Sequence, residues 1–144
     1  LVKRGRGGIV IGGAMGAAAG IPYMANDSGS KAYVQAFGEA LHVEFKPLGV
    51  NVTVLIVAPT QTAIIEKFGM DPKSMPMKPM TTEQCVFEGL NGLINNRSTV
   101  LPGRVNRIMD GIIPSSIARV MMGKMIAKTL SDNASKQQAK TRTR

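Results

Sequence analysis

The stretch SGSKAYVQAFGEALHVEFKPLGVNVTVLIVA, residues 28–58, contains two different hydrophobic patterns in direct succession. Over 28–46, apolar residues recur at close to the helical period, and a proline and a glycine end the pattern. The run VNVTVLIVA, 50–58, is rich in β-branched residues and lies between a glycine and a proline, which is typical of a buried strand. The stretch therefore predicts a long helix that leads directly into a strand of the core.

The preceding segment, IVIGGAMGAAAG at 9–20, places a short apolar strand before closely spaced glycines. A strand, a glycine-rich turn and a helix N-terminus together can bind the phosphates of a dinucleotide. Two features argue against that site here: Pro22 would cut the required helix short, and the glycine spacing is not G-x-G-x-x-G. We therefore expect a loop of small residues after a strand, Gly8–Ile11, that is covered on both faces.

The order of elements predicts the fold. A strand, a helix and a second strand in sequence form a right-handed parallel crossover. A proline- and methionine-rich loop at 69–80 leads to the capping box TTEQ, which opens a helix that ends near Ile94. Residues 98–101 predict a short third strand. We therefore predict an α/β fold, specifically a partial Rossmann-like, doubly wound domain with three parallel strands and flanking helices.

The C-terminal region has a different composition. Pro114 begins a last helix, SSIARVMMGKMIAKTL at 115–130, with apolar residues on one side and basic residues on the other. This helix completes a single domain over 1–130. From Ser131 to Arg144 the chain is polar and basic, which predicts a disordered tail.

The net charge of +9 and the pI near 10.1 raise the question of a polyanionic partner. Aromatic residues make up only 4% of the chain and tryptophan is absent, so a stacking platform for nucleic acid bases is missing. Much of the positive charge lies at the two chain ends. We therefore expect no nucleic-acid partner, and consider an acidic partner or a membrane surface at the basic helix 115–130.

The sequence contains neither an apolar run long enough to cross a membrane nor a signal-peptide pattern, which favours a cytoplasmic protein. Cys85 and His42 are the single members of their types and have no neighbours suited to a disulfide or a metal, so we expect both to be structural. Because the chain begins with Leu1 rather than Met, it is compatible with a piece of a longer protein.

The motifs RGRGGIV, GIPYMAN and SGSKAYVQAFGEALHVEFKPLGVNVTVL resemble the C-terminal half of a short-chain dehydrogenase/reductase, closely over 1–65 and loosely beyond. In that family the first of these strands ends at a catalytic serine, a Y-x-x-x-K motif opens the long helix, and the next strand runs into P-G-x-x-x-T near the nicotinamide. A gap-free alignment places Lys31 at the family lysine and Thr62 at the threonine. The resemblance thus implies a vestigial catalytic and cofactor-binding role for Lys31 and a vestigial cofactor-binding role for Thr62.

The same alignment shows that the reacting groups of the family are replaced. The serine position is Ala14, the tyrosine position is Asp27, and the Pro-Gly pair is Val57-Ala58. Alanine has no hydroxyl, and a carboxylate that is ionised near neutral pH cannot donate the proton that the tyrosine supplies. Tyr23 and Tyr33 are the remaining tyrosines, and we do not expect either to restore catalysis.

Asp27 also has a purely structural interpretation, in which it caps the helix N-terminus and forms an exposed ion pair with Lys31. The family's phosphate-binding turn and its ribose-binding acid belong to the half of the family that precedes these motifs. We therefore expect no cofactor for this chain, and NAD(P) is implied by the family resemblance alone.

These observations favour an inactive, pseudoenzyme-like protein that acts through self-association or partner binding. The alternative is part of an NAD(P)-dependent short-chain oxidoreductase whose N-terminal half is not in this chain. The family associates through the long helix, which predicts a homo-oligomer, a dimer, formed through helix 28–46 or through an open edge at strand 8–11. The competing arrangement is a monomer in which Met109–Leu130 covers that edge.

Overall fold

Three parallel strands form one sheet in the computed structural model, which describes residues 1–63, 67 and 78–142 and, over 136–142, the helical backbone only. The strands are β1 (Gly7–Ala14), β2 (Val50–Val57) and β3 (Thr99–Val100). Their order in the sheet is β1-β2-β3. β1 pairs with β2 along its whole length, whereas β3 pairs only with Val54 and Leu55 of β2. The predicted α/β fold with three parallel strands is confirmed.

Helices connect and cover these strands. The helix predicted between β1 and β2 is confirmed, but it begins three residues before Ser28. The Thr81 cap of the predicted capping box is confirmed, because its hydroxyl accepts a hydrogen bond from the Gln84 amide at 3.2 Å. The Gln84 side chain does not complete the box, since it donates to Glu88. The helices are α1 (Ala25–Phe45), α2 (Thr82–Ile94), α3 (Arg104–Ile112) and α4 (Ser115–Arg142).

β2 is the centre of the core because helices cover both of its faces. Val52, Thr53 and Val54 are fully buried. On one face, Gly38 brings the backbone of α1 so close to the sheet that a Cβ atom at this position would overlap the side chain of Val54. On the other face, Gly89 of α2 lies against the side chain of Leu55, where an added Cβ atom would be 3.0 Å from the nearest methyl group. Glycines on both helices therefore permit the close packing that buries β2.

β1 lies at one edge of the sheet and is not covered on both faces, so that prediction is wrong. Val10 keeps 39% of its surface exposed. The reason is the position of α2, which reaches β1 only near its start, where Leu93 lies over Gly8. Among the described residues, no strand pairs with the outer side of β1. The predicted open edge is therefore present.

The C-terminal region differs from its prediction in two ways. The helix α3 was not predicted, although Val105, Ile108 and Ile112 recur at helical spacing, because the pattern extends over only nine residues. The helix α4 continues to Arg142, through most of the segment predicted as a disordered tail. That segment contains no glycine or proline that would end a helix. In the described part of the chain, no helix has the length and hydropathy needed to span a bilayer.

Of the predicted loop at 69–80, residues 69–77 lie outside the described residues. The remainder passes beside the segment that follows β2, where Thr60 and Met80 form an isolated parallel bridge. The amide of Gln61 donates to the Met80 carbonyl at 2.9 Å. These contacts bring the start of α2 close to the carboxyl end of β2.

Candidate functional site

The carboxyl ends of β1 and β2 meet at one edge of the sheet, because the two strands are parallel and in register up to Ala14 and Val57. Ala14 is the last residue of β1 and is half-buried. The Met15 amide donates to the Val57 carbonyl at 2.9 Å, which extends the pairing by one step. In open α/β sheets, ligands bind outside this edge. The residue at the family's serine position is therefore in the place where chemistry would be expected.

The glycine-rich segment after β1 is a loop of small residues. Residues 17–19 form a single 3-10 turn. Gly16 and Gly20, which flank the turn, have φ angles of 76° and 70°, a conformation that favours glycine. The next α-helix begins only at Ala25. The segment therefore does not lead a helix N-terminus toward a phosphate in the way that the dinucleotide fingerprint requires.

Ser28, and not Asp27, holds the start of α1. Ser28 is only 2% exposed. Its hydroxyl accepts a hydrogen bond from the Ile21 amide at 3.2 Å and donates to the Met24 carbonyl at 2.7 Å. The N-cap residue is Met24, with no side-chain cap, and Asp27 lies in the first helical turn with an exposed side chain. The prediction that Asp27 is the N-cap is wrong, because the chain enters the helix earlier and Ser28 binds the incoming loop.

Lys31 follows Asp27 by one helical turn and is half-buried. The predicted ion pair between these two residues is not formed, since the ion pair that the described residues contain joins Arg107 to Glu88. The Asp27 carbonyl instead accepts a hydrogen bond from the Ser30 hydroxyl at 2.8 Å. Lys31 and Asp27, which the alignment places at the family's lysine and tyrosine positions, thus form no ion pair with each other.

Thr62 lies on the segment that follows β2, at the same edge of the sheet, and its side chain is exposed. The buried threonine of this segment is Thr60, whose hydroxyl donates to the Ala58 carbonyl at 2.7 Å. The fold therefore brings Ala14, Asp27, Lys31 and Thr62 to the carboxyl side of the sheet. None of them has a side-chain hydrogen bond to another among the described residues.

The two tyrosines, Tyr23 and Tyr33, are both exposed, but they lie in different local structures. Tyr23 precedes α1 and has a φ of 66°, a conformation uncommon for a residue other than glycine. Tyr33 lies within α1 and stacks on Phe37, with ring centroids 5.9 Å apart. In the described part of the chain, neither hydroxyl forms a hydrogen bond that would orient it for proton transfer. The arrangement offers a cation at Lys31 but no oriented hydroxyl beside it.

A second feature, which was not predicted from the sequence, is an open cleft of about 780 Å³ at the carboxyl side of β2 and β3. It lies between the start of α2, the start of α3 and the segment beginning at Lys78. Glu88 of α2 lines the cleft and contacts the start of α3. Its carboxylate accepts a hydrogen bond from the Gly103 amide and forms an ion pair with Arg107, both at 3.0 Å. These partners are 15 and 19 residues away along the chain, so no local motif indicates the contact.

The pKa of Glu88 is lowered from its ordinary value of 4.5. Partial burial of the carboxylate acts in the opposite direction and raises the pKa. Hydrogen bonds from the Gly103 amide, Gln84 and Arg107, together with the positive charge of Arg107, outweigh that effect. Glu88 thus acts as a charged clamp between α2 and the N-terminus of α3, where a negative charge also complements the helix dipole.

We expect Glu88→Gln to destabilise the fold by about 1–2 kcal/mol at pH 7, allowing for partial exposure of the ion pair. Because the folded-state pKa lies below 4.5, the stabilisation is present in full above the unfolded-state pKa and disappears as the pH falls through the folded-state value. Urea unfolding of both proteins at pH 7 and pH 3 measures this. Glu44→Gln, at an exposed position of α1, is the control and should change stability little. A Glu88→Gln deficit of equal size at both pH values would contradict the clamp.

His42 and Cys85 have the structural positions that were predicted. A ring nitrogen of His42, Nδ1, lies 2.7 Å from the Val52 carbonyl oxygen, which ties α1 to β2. Cys85 is a buried free thiol on α2. Both residues therefore contribute to packing on the two sides of the sheet.

The comparisons with known proteins agree with this geometry. No protein-family model matches the chain. Among curated proteins, it is 36% identical over 74 residues to the very-long-chain 3-oxoacyl-CoA reductase of Meyerozyma guilliermondii. The matched region is 51% of this chain and 21% of that protein. The sequence likeness is thus limited to about half of the chain.

Solved structures cover more of the chain. It is similar to a short-chain dehydrogenase from Sphingobium yanoikuyae in complex with NADPH, with a TM-score of 0.63, 23% identity, and coverage of 80% of this chain and 49% of that one. It is also similar to a 7β-hydroxysteroid dehydrogenase, with a TM-score of 0.69, 22% identity, and coverage of 84% and 48%. The chain spans about half the length of these solved structures. The fold of this chain is therefore a partial Rossmann-like fold, similar to about half of the fold of these dehydrogenases.

Proposed function

We propose that this chain is a pseudoenzyme-like half-domain that performs no hydride transfer by itself and acts through association with another chain, in the cytoplasm. The observation that carries the proposal is the uncovered side of β1, next to an α1 helix with exposed aromatic residues. A strand edge with unpaired backbone groups is a template for pairing with another chain. The proposal therefore assigns the function to surfaces and not to the carboxyl edge of the sheet.

The composition of the carboxyl edge supports the absence of catalysis. Proton transfer requires a positioned acid or base with a suitable protonation state. Ala14 offers no polar group, and the exposed Asp27 has no hydrogen bond to Lys31. These residues supply neither the hydroxyl that polarises a carbonyl nor the proton donor that the resembling family uses.

The surface of α1 supports association. Tyr33, Phe37 and Val43 are exposed on a helix that already packs its other side on the sheet. Large exposed apolar patches mark interaction sites in proteins. A second copy of the chain would cover these side chains or the β1 edge with closed two-fold symmetry, which is the commonest arrangement of homo-oligomers.

A second candidate function is participation in an NAD(P)-dependent oxidoreductase when an N-terminal half is supplied. It is favoured by the similarity to the Sphingobium yanoikuyae dehydrogenase, which was solved with NADPH, and by the coverage of 49% of that chain. In this arrangement Lys31 and Thr62 would approach the cofactor. The substitutions at the serine and tyrosine positions would still limit the rate.

We expect this chain to bind NADH or NADPH no more tightly than the millimolar range. The reason is that the segment after β1 forms a 3-10 turn and presents no helix N-terminus to a pyrophosphate. Calorimetric or fluorescence titration of the chain with each nucleotide measures the affinity. Lys31→Ala is the matched variant, and it should leave the weak signal unchanged. Binding with a micromolar dissociation constant that is lost in the Lys31→Ala variant would favour the oxidoreductase function over the function in association.

A further inference from the structure

The positive charge of this protein is concentrated at its C-terminal end. Residues 104–144 contain nine lysine or arginine residues and two acidic residues, Asp110 and Asp132. This region therefore carries a net charge of +7 out of the +9 of the whole chain. The remaining residues, among which are those of the sheet, α1 and α2, carry a net charge of only +2.

The helix α3 presents an apolar stripe to solvent within this basic region. Val105, Ile108 and Ile112 are 65%, 58% and 71% exposed, and their spacing of three and four residues places them along one side of the helix. The opposite side of α3 is anchored, because the Asn106 side chain donates to the Pro102 carbonyl and Arg107 pairs with Glu88. The stripe thus faces away from the contacts that hold α3 on the protein.

The first turns of α4 repeat this combination. Ile117, Val120 and Met121 are each at least half exposed. Lys124, three residues after Met121, and Lys128, four residues further, lie on the same side of the helix and are exposed. The prediction that basic and apolar residues occupy opposite sides of this helix is therefore wrong for these two lysines. The helix is attached through its other side, where Gly123 approaches Pro22 closely. The exposed side therefore combines large apolar side chains with cations that form no ion pair among the described residues.

We propose that α3 and the first turns of α4 dock on the surface of an anionic lipid bilayer. Helices bind there when apolar side chains enter the boundary between headgroups and acyl chains while lysine and arginine residues contact lipid phosphates. The charge of 104–144 is complementary to such a surface. A nucleic acid would use the cations but would leave the apolar stripe of α3 in water, which makes a bilayer the better match.

Flotation with lipid vesicles tests this inference on the full chain. We expect binding to vesicles of phosphatidylcholine with about one third phosphatidylserine and little binding to phosphatidylcholine alone. Lys124→Gln with Lys128→Gln should lower the constant for partition of the protein from water onto the anionic vesicles about thirtyfold. This corresponds to roughly fivefold for each lysine close to the lipid surface. Replacement of Val105, Ile108 and Ile112 by serine should lower it by at least about tenfold.

Matched controls distinguish docking from general loss of charge or apolar surface. Lys3→Gln with Lys46→Gln removes two exposed cations elsewhere, and Phe87→Ser with Ile94→Ser removes two exposed apolar side chains of α2. Both controls should bind like the unchanged chain, and circular dichroism verifies that each variant is folded. Three outcomes would each overturn the proposal. The controls could lose as much vesicle binding as the test variants, or the unchanged chain could fail to bind the anionic vesicles. The chain could also bind a DNA duplex more tightly than the vesicles, with the α3 serine variant binding the duplex equally well.

Discussion

Placed behind an intact N-terminal half of a short-chain dehydrogenase, the double variant Ala14→Ser with Asp27→Tyr should turn over at least about one hundred times faster than the same graft without the two changes. A positioned acid or base contributes typically 10²–10⁴-fold to the rate, which sets this expectation. Ala14 ends β1 at the carboxyl edge, and Asp27 lies one helical turn before Lys31. The variant would therefore restore a hydroxyl at each of the two positions where the family keeps one.

Steady-state turnover of the two grafts with NADPH and a ketone substrate is the measurement. In this chain without the grafted half, the double variant should give no turnover, because we expect the chain to bind the nucleotide no more tightly than the millimolar range. Adding Lys31→Ala to the reverted graft should remove most of the gain, because the family lysine lowers the pKa of the tyrosine. Equal rates for the reverted and unreverted grafts would show that another group, such as Tyr23, carries the proton.

Gly38→Ala should destabilise the fold by about 3 kcal/mol, at the upper end of the range for overpacking a core. The added Cβ would overlap the Val54 side chain and approach the Ile11 Cδ1 atom to 3.3 Å. Val54 is fully buried in the central strand, so α1 must move away from the sheet to accommodate the methyl group. A shift of α1 would in turn loosen contacts with both β1 and β2.

Gly29→Ala is the matched control, because Gly29 lies on the same helix and its added Cβ would meet nothing within 4 Å. It should stabilise the fold by up to about 1 kcal/mol, since alanine favours a helix over glycine. Thermal and urea unfolding of the two variants decide the question. A Gly38→Ala protein as stable as the Gly29→Ala protein would contradict the close packing of α1 on β2.

The parts of the fold that the sequence predicts are those with a strong local pattern. The run at 50–58 is β-branched and uninterrupted, and β2 is the most buried element. The capping box at Thr81 identifies the start of α2 within one residue. The cap is predictable because its hydrogen bond joins residues three positions apart. The burial of β2 involves distant partners, but an uninterrupted β-branched run indicates a buried strand whichever elements cover it.

The parts that could not be predicted depend on contacts between distant residues. Ser28 replaces Asp27 as the residue that holds the start of α1 because its partner is Ile21, on a loop whose path is not encoded by a motif. The clamp of Glu88 on Gly103 joins two helices, and α3 itself has its apolar stripe outward. Val105, Ile108 and Ile112 have helical spacing, but periodicity does not show which side of so short a helix faces the protein, and the inward side holds Asn106.

The candidate site follows the same division. The residues Ala14, Asp27, Lys31 and Thr62 could be placed at the carboxyl edge from the resemblance and the parallel topology. The lack of contact between Asp27 and Lys31 could not, because an i, i+4 ion pair at the surface contributes little free energy, so the spacing alone does not show whether it forms. The uncovered face of β1 was also missed, since an apolar strand sequence indicates burial but does not show how far a neighbouring helix extends.

The molar mass of the chain in solution tests most directly the central claim that it acts through association. Light scattering coupled to size exclusion at micromolar concentration should give the mass of two chains of 15.3 kDa each. Tyr33→Glu with Phe37→Glu should shift the mass toward one chain, whereas Tyr23→Glu, at an exposed position outside α1, should leave it unchanged. A clean monomer mass for the unchanged chain, together with a cooperative thermal melt, would contradict the account.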